Sequence, residues 1–475
     1  MRQNLALAMI VVLFTLKGEE MHLHILGLSG TFMSALALLA RDAGFQVTGS
    51  DANCYPPVSD LLEAKGIFWA EGYEDSTLAL KADCVIVGNA IKRGMPVMEA
   101  VLDARKKYIS GPQWLAEQIL PRYKVLAVAG THGKTTTTSM LAYILHQAGL
   151  EPGFLIGGLA SDFNTSANLG KGEHFVIEAD EYDSAFFDKR PKFMHYHPQI
   201  AILNNLEFDH ADIYDNLPAI QQQFHYYLKT IPSHGVVLMP RDDQALNEVL
   251  ARGKFSRIED MALSGDSSWR AEILDEEGQS FAVFHEGKKV AEVNWSLIGT
   301  FNIENGLAAL AASYHAGVKP KVAASALENF TPVKRRLEVK SNRHGITVYD
   351  DFAHHPTAIH KTIQALKHSN RHKRILVVLE FASYTMRTGV HKHEMAKALS
   401  AVDSAYVLNP EEFSIAELTQ DWKFPHHILP NSNAIIEHLL IDAKEGDAIL
   451  IMSNRGFDNI HRQLIAELDA KFVTV

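Results

Sequence analysis

Along the chain, short apolar runs alternate with longer segments whose apolar residues recur at helical spacing. "HLHILGL" (22–28), "QVTGSD" (46–51) and "DCVIVGNA" (83–90) read as strands, and "GTFMSALALLARDAG" (30–44) reads as a helix closed by Gly44. The partly β-branched run at 125–129 suits a buried parallel strand. From Thr135 onward, Met140, Leu141, Ile144 and Leu145 share one helical face. Further apolar strands end in "HFVIEADEYDSAFF" (174–187), "QIAILNNLEFDHADIY" (199–214) and "RILVVLE" (374–380). Strand and helix in alternation predict an α/β protein that opens with a Rossmann-like N-terminal domain and continues with a mainly parallel central sheet.

The first twenty residues break this rhythm. "LALAMIVVLFTL" (5–16) has the length of a signal-peptide apolar region, but it is too short to span a bilayer and no small-residue cleavage site follows it. Residues 1–20 are read as an upstream extension outside the fold, which begins at Met21. A chain of 475 residues exceeds one core and suggests about three domains. A net charge of −11 argues against a nucleic-acid partner. Cys54 and Cys84, the two cysteines, make neither a disulfide framework nor a metal knuckle and fit a reducing cytosol.

Candidate chemistry begins at "GTHGKTTT" (130–137), where the run at 125–129 gives way to a helix. Free N–H groups of a first helical turn and the positive end of its dipole converge there, and Gly130 and Gly133 allow a phosphate to approach the backbone. Lys134 supplies a mobile charge for outer phosphates, and the Thr135 hydroxyl is placed for the accompanying Mg²⁺. The spacing Gly130-x-x-Gly133-Lys134 is a variant of the general phosphate loop. An earlier turn, Gly27-Leu28-Ser29-Gly30-Thr31, lacks the third glycine of the dinucleotide fingerprint; with Asp51 it suits a nucleotide-linked molecule. Glu178 and His210, at the ends of strands flanking the phosphate loop, are candidate Mg²⁺ ligands, whereas Glu181 and Asp183 are expected to be solvated.

"GTHGKTTT", "EADEYDSAFF", "NNLEFDHADIY", "FNIENGLAAL", "KRRLEV" and "YDDFAHHPTAI" stand in the order and spacing of the Mur ligases, the ATP-dependent amide-forming enzymes of peptidoglycan assembly, and the resemblance runs from Met21 to the end. It implies a UDP-sugar-binding domain at 21–122, a central ATP-binding domain at 123–331 and a Rossmann-like C-terminal domain at 332–475 that brings the amine. It also implies that the loop residues Gly130, Thr131, His132, Gly133, Lys134, Thr135 and Thr136 hold ATP, with Asn302 and Asn305 on adenine. Arg336 would reach the γ-phosphate, and Asp351 would fix the ribose or orient that arginine. Thr135 and Glu178 would hold one Mg²⁺ and His210 a second cation, with Lys134, His210 and Arg336 catalytic. Gly27, Ser29, Gly30, Thr31 and Asp51 would meet the nucleotide sugar.

Within the family, "FFDKRPKFMHYHP", "YTMRTGVHKHEMA" and "ILIMSNRGFDNIHRQL" are similar to the branch that recycles cell-wall peptide. That branch joins UDP-N-acetylmuramate to the murein tripeptide L-Ala-γ-D-Glu-meso-diaminopimelate; the alternative is the branch that adds a single L-alanine. The resemblance implies small-molecule partners, no membrane, a cytoplasmic location and a monomer or weak homodimer. Several positions depart from the family, among them Phe301 before Asn302 and Arg455 and Asp458 in "SNRGFDN". His225 stands where many Mur ligases carry a carbamylated lysine, and "LEFASYTM" (379–386) lacks an arginine usual in the recycling branch. His355, Ser383, Thr385, Arg387 and Arg455 remain as candidate peptide-binding residues. A phosphate-loop kinase has no use for the C-terminal domain, and a dehydrogenase has the wrong first glycine turn.

Overall fold

The computed structural model describes residues 21–55, 58–409 and 415–473; the extension read at 1–20 lies outside the described residues. The chain forms two compact units, one running to Leu115 and including Ser184–Lys189, the other comprising Ala116–Asp183 and everything from Arg190.

In the first unit, strands β1 (His22–Leu26), β2 (Gln46–Asp51), β3 (Phe68–Glu71), β4 (Cys84–Val87) and β5 (Tyr108–Ser110) form a parallel sheet in the order β3-β2-β1-β4-β5. The order reverses direction between β1 and β4. A parallel sheet opens a crevice at such a switch, and the Gly27 turn after β1 lies there. The helix Thr31–Asp42 buries Met33 through Ala40, so its apolar spacing is spent entirely on packing. Residues 184–189 join this unit: Phe186 packs against the apolar cluster that includes Val85, Val87, Ile91 and Met98, and the Ser110 hydroxyl donates to Asp188.

His24 on β1 is fully buried, with its ring nitrogens 2.8 Å from the Thr48 hydroxyl and 3.1 Å from that of Ser50. Burial, with His22 nearby, lowers its pKa to about 4, against a small opposing pull from Asp75. The folded state therefore holds His24 neutral while the unfolded chain protonates near 6.5. The stability this provides is present above pH 6.5 and is lost as pH falls from 6.5 toward 4, by about 3 kcal/mol in all. Hydrogen exchange at β1 should show its opening free energy falling over that window, and His24→Gln should flatten the dependence. A wild-type profile that is flat between pH 7 and 5 would contradict this assignment.

The second unit holds two sheets. In the first, β6 (Lys124–Ala129), β7 (Gly153–Ala160), β8 (Thr165–Asn168), β9 (His174–Glu178), β12 (Ile200–Leu203), β13 (Val236–Pro240), β14 (Arg257–Ala262), β15 (Trp269–Ile273), β16 (Ser280–His285) and β17 (Lys288–Asn294) lie in the order β17-β16-β15-β14-β13-β12-β6-β9-β7-β8. Its centre is parallel and both flanks are antiparallel. The omitted β10 (Asp183–Ala185) and β11 (Asp188–Pro191) form a separate two-stranded ribbon. The helix Lys134–Gln147 is buried from Thr135 to Leu145, all four threonines included, because it packs between this sheet and the helix Thr300–His315. Its apolar face is therefore wider than the four residues read from spacing.

The second sheet orders β18 (Glu338–Arg343), β19 (Ile346–Asp351), β20 (Arg374–Leu379), β21 (Ser404–Leu408), β22 (His426–Leu429) and β23 (Asp447–Met452) as β18-β19-β23-β20-β21-β22. It is parallel except at β18, and each face carries its own apolar cluster. Among the described residues, no helix is long and apolar enough to cross a membrane.

Candidate active site

The phosphate loop leaves β6 at Ala129 and enters the helix at Lys134, with Gly130 at φ 129° and Gly133 at φ 77°. Glycine is required at both points. A Cβ on Gly133 would lie 2.4 Å from Asn305 Oδ1, and one on Gly130 2.9 Å from the Asn205 carbonyl oxygen. The loop is braced from behind by the segment after β12. Asn205 Oδ1 accepts from the His132 N–H at 2.8 Å, and Asn204 Nδ2 donates to the His132 carbonyl and to the Thr137 hydroxyl. The Thr131 hydroxyl accepts from the Glu207 N–H at 2.8 Å. These bonds hold the loop in shape before any ligand arrives, leaving its inner side to the cleft.

That cleft has a volume of about 350 Å³, and its walls include Thr131, His132, Gly133, Lys134, Thr135, Thr136, Glu178, His210, Asn302, Asn305, Arg336, Asp351 and His355. The two asparagines differ in their partners. Buried Asn305 accepts from the Thr137 hydroxyl at 3.1 Å and so supports the phosphate loop, whereas Asn302 donates to the Ile298 carbonyl at 2.8 Å.

Charge in the cleft is balanced by short contacts. Lys134 Nζ lies 2.7 Å from Glu181 Oε2 and 3.6 Å from Asp180; His210 Nε2 is 3.1 Å from Glu181 Oε1, and Lys192 pairs with Asp180 at 2.8 Å. The solvated role expected for Glu181 and Asp183 is wrong: they are 2% and 7% exposed. The segment after β9 turns back under the phosphate loop, and Glu181 becomes the counter-ion of both Lys134 and His210. Burial opposes the charge on each of these cations, but the carboxylates outweigh it. The Lys134 pKa rises and that of His210 is raised to about 9. At neutral pH both are cations.

Thr135 and Glu178 form a second group. The Thr135 hydroxyl is 3.1 Å from Glu178 Oε1, while Glu178 Oε2 accepts from the Gly157 N–H at 2.8 Å. A Cβ at Gly157 would fall 2.5 Å from that carboxylate, so glycine there makes room for it. A hydroxyl and a carboxylate beside a phosphate loop are hard oxygen donors, and they fit Mg²⁺. From the C-terminal half, Arg336 Nη2 donates to Thr135 Oγ1 at 3.0 Å, and its guanidinium lies over the Phe352 ring. Arg335 and Leu337, on either side, have φ of 64° and 50°, an uncommon conformation that costs of order 1–3 kcal/mol each. Asp351 helps to hold that bend, accepting from the Leu337 N–H at 2.6 Å and from the Ala353 N–H at 2.7 Å.

Residues 22–123 match the Mur ligase family catalytic domain, 128–313 the Mur ligase middle domain, and 335–455 the Mur ligase glutamate ligase domain. The chain is also 49% identical over 453 residues to UDP-N-acetylmuramate:L-alanyl-gamma-D-glutamyl-meso-2,6-diaminoheptandioate ligase of Haemophilus influenzae, covering 95% of this chain and all of the relative. The chain is a Mur ligase. A murein peptide ligase of Psychrobacter arcticus superimposes with a TM-score of 0.75 at 45% identity, covering 94% of this ligase and 98% of the other. The UDP-N-acetylmuramate-L-alanine ligase of Desulforapulum autotrophicum is more distant, at 33% identity over 82% of this chain and 83% of its own.

The remaining candidate residues of the ligase divide by position. Ser383 and Thr385 line a small pocket with His355, Phe381, Met386 and Met395. Ser383 caps the short helix Tyr384–Arg387, and the Thr385 hydroxyl accepts from the Ala211 N–H at 3.1 Å. Arg387 donates to the Phe381 carbonyl and lines neither space. Nor does Arg455, whose side chain is exposed and whose carbonyl accepts from Arg335. His225 is buried on the helix Leu217–Leu228 against Tyr226 and Phe255, so it does not take the place of the family's lysine in the cleft. In the first unit, Asp51 accepts from the Ser29 N–H at 2.8 Å; Gly27 bends the turn at φ 80°, Gly30 precedes the helix, and Thr31 opens it exposed. Glu181 and Lys192 are contributors that spacing did not single out, since only the fold of the segment after β9 brings them to Lys134 and Asp180.

Proposed function

We propose that this Mur ligase uses ATP and Mg²⁺ to join the lactyl carboxylate of UDP-N-acetylmuramate to the free α-amine of L-alanyl-γ-D-glutamyl-meso-diaminopimelate. The observation that carries this reading is the end-to-end 49% identity to a relative named for that peptide, against 33% to one named for L-alanine. A carboxylate is a poor electrophile. Its activation as an acyl phosphate, with ADP released, makes displacement by an amine feasible, and phosphate leaves.

The chain's part in this is electrostatic and positional. The phosphate loop receives the triphosphate through backbone N–H groups and Lys134. Arg336 approaches Thr135 from the opposite wall, so a γ-phosphoryl group at that point meets positive charge on two sides. Thr135 and Glu178 would hold Mg²⁺, which supplies charge to neutralise phosphate oxygens. Asp351 orients the arginine's backbone. His210 is held by Glu181 as a cation in the ligand-free site; serving as a ligand to a second cation requires it to give up that proton, since imidazole ligates only when neutral. Asp51 and the Gly27 turn suit the nucleotide sugar in the first unit.

Glu178→Gln should raise the Mg²⁺ concentration needed for half-maximal turnover, because an amide is a weaker ligand for a hard cation. An unchanged Mg²⁺ titration would move the metal elsewhere. The substrate assignment is tested by phosphate release from ATP in the presence of UDP-N-acetylmuramate. Release should accelerate with the tripeptide and much less with L-alanine; the reverse preference would favour the L-alanine branch.

A further inference from the structure

At the phosphate loop, three side chains from distant parts of the chain converge, and two of them, His132 and His355, also line the cleft. The Glu207 carboxylate receives two imidazoles at one oxygen: His132 Nε2 lies 3.0 Å and His355 Nδ1 3.3 Å from Oε2. The ligand atoms of all three residues lie within 4.8 Å of one another.

His355, 7% exposed, has a hydrogen-bond partner at each ring nitrogen, and those partners conflict with its contact to Glu207. Its Nε2 is 3.3 Å from the Phe208 carbonyl oxygen, a partner that only an N–H can use. With the proton there, Nδ1 carries a lone pair. That lone pair accepts the Thr357 N–H at 3.3 Å, capping the helix Pro356–His368, and also faces the Glu207 oxygen. A lone pair and a carboxylate oxygen repel, and a cation between them removes the conflict.

We propose that His132, Glu207 and His355 form a site for a borderline-soft divalent cation of the Zn²⁺ class, separate from the Mg²⁺ ligands Thr135 and Glu178. Ligands about 2.05 Å from a tetrahedral metal are separated by about 3.3 Å, close to the two contacts at Oε2. Two imidazoles with one carboxylate favour Zn²⁺ over Mg²⁺, which takes oxygen ligands. His132 belongs to the phosphate loop, Glu207 to the segment after β12, and His355 to the start of a helix in the C-terminal half. A cation here clasps the half that holds the phosphate loop to the half that carries Arg336, independently of which amine is the substrate.

The test is Zn²⁺ titration of the full chain by calorimetry, without ATP or Mg²⁺, alongside Glu207→Gln and His355→Gln, with circular dichroism to confirm folding. One Zn²⁺ per chain is expected, weakened roughly 100-fold or more in both variants and retained in Glu181→Gln, which alters the neighbouring group of Asp180, Glu181 and His210. X-ray absorption of the Zn²⁺-loaded wild type needs no variant and should show two imidazole ligands. Absence of stoichiometric binding, one imidazole only, or loss of binding in Glu181→Gln but not in Glu207→Gln would overturn the proposal.

Discussion

Lys134→Ala should lower turnover by roughly two to three orders of magnitude or more, the scale for removing one partner of developing transition-state charge. The lysine stands at the first turn of a buried helix, and its ammonium is already aimed into the cleft by Glu181 and Asp180. Those carboxylates position it and also compete with phosphate for it. Removing the ammonium leaves Glu181 with His210 alone and takes a counter-ion from Asp180, so some stability is lost as well. Lys134→Met, which keeps the apolar stem, separates the two effects: a folded protein with the same loss of rate assigns the loss to charge. Steady-state rates at saturating ATP, with melting curves for both variants, give the answer. A near-wild-type rate would remove the lysine from the mechanism.

Arg336→Ala should have an effect of similar size, roughly two orders of magnitude or more in turnover. Burial lowers the guanidinium pKa, against the raising influence of Asp351 and Glu178, yet arginine remains charged at any working pH. It crosses from the C-terminal half to touch Thr135, and the residues on either side of it are left-handed. Arg336→Lys restores charge without the planar fork and should recover only part of the rate. If Arg336→Ala turns over like the wild type, the assignment of this arginine to the γ-phosphate is wrong. Asp351→Asn provides a graded companion: it keeps the shape of the carboxylate but weakens its hold on the Leu337 N–H, and its loss should be smaller than that of Arg336→Ala.

Much of this was legible from local pattern. The strand, glycine turn and helix at 124–147 follow from short-range spacing, and so do the alternating elements from Met21 onward. Pairings across the chain were not legible. Glu181 looks like one of several solvated acids until the turn after β9 brings it under Lys134, and Glu207 and His355 meet across 148 positions. Asn305 shares a helix face with Asn302, but periodicity does not say that one would brace Thr137 while the other bonds to Ile298. Spacing places Arg455 just after β23 but does not show that the local turn ties down its backbone while its side chain stays exposed.

The most direct test of the account is the product itself. The protein is incubated with ATP, Mg²⁺, UDP-N-acetylmuramate and equal concentrations of the tripeptide and L-alanine, and the nucleotide-linked products are weighed by mass spectrometry. The expected result is a dominant product heavier than UDP-N-acetylmuramate by the tripeptide less one water, formed together with ADP and phosphate. A product carrying a single alanine, or ADP formed with no amide product, would contradict it.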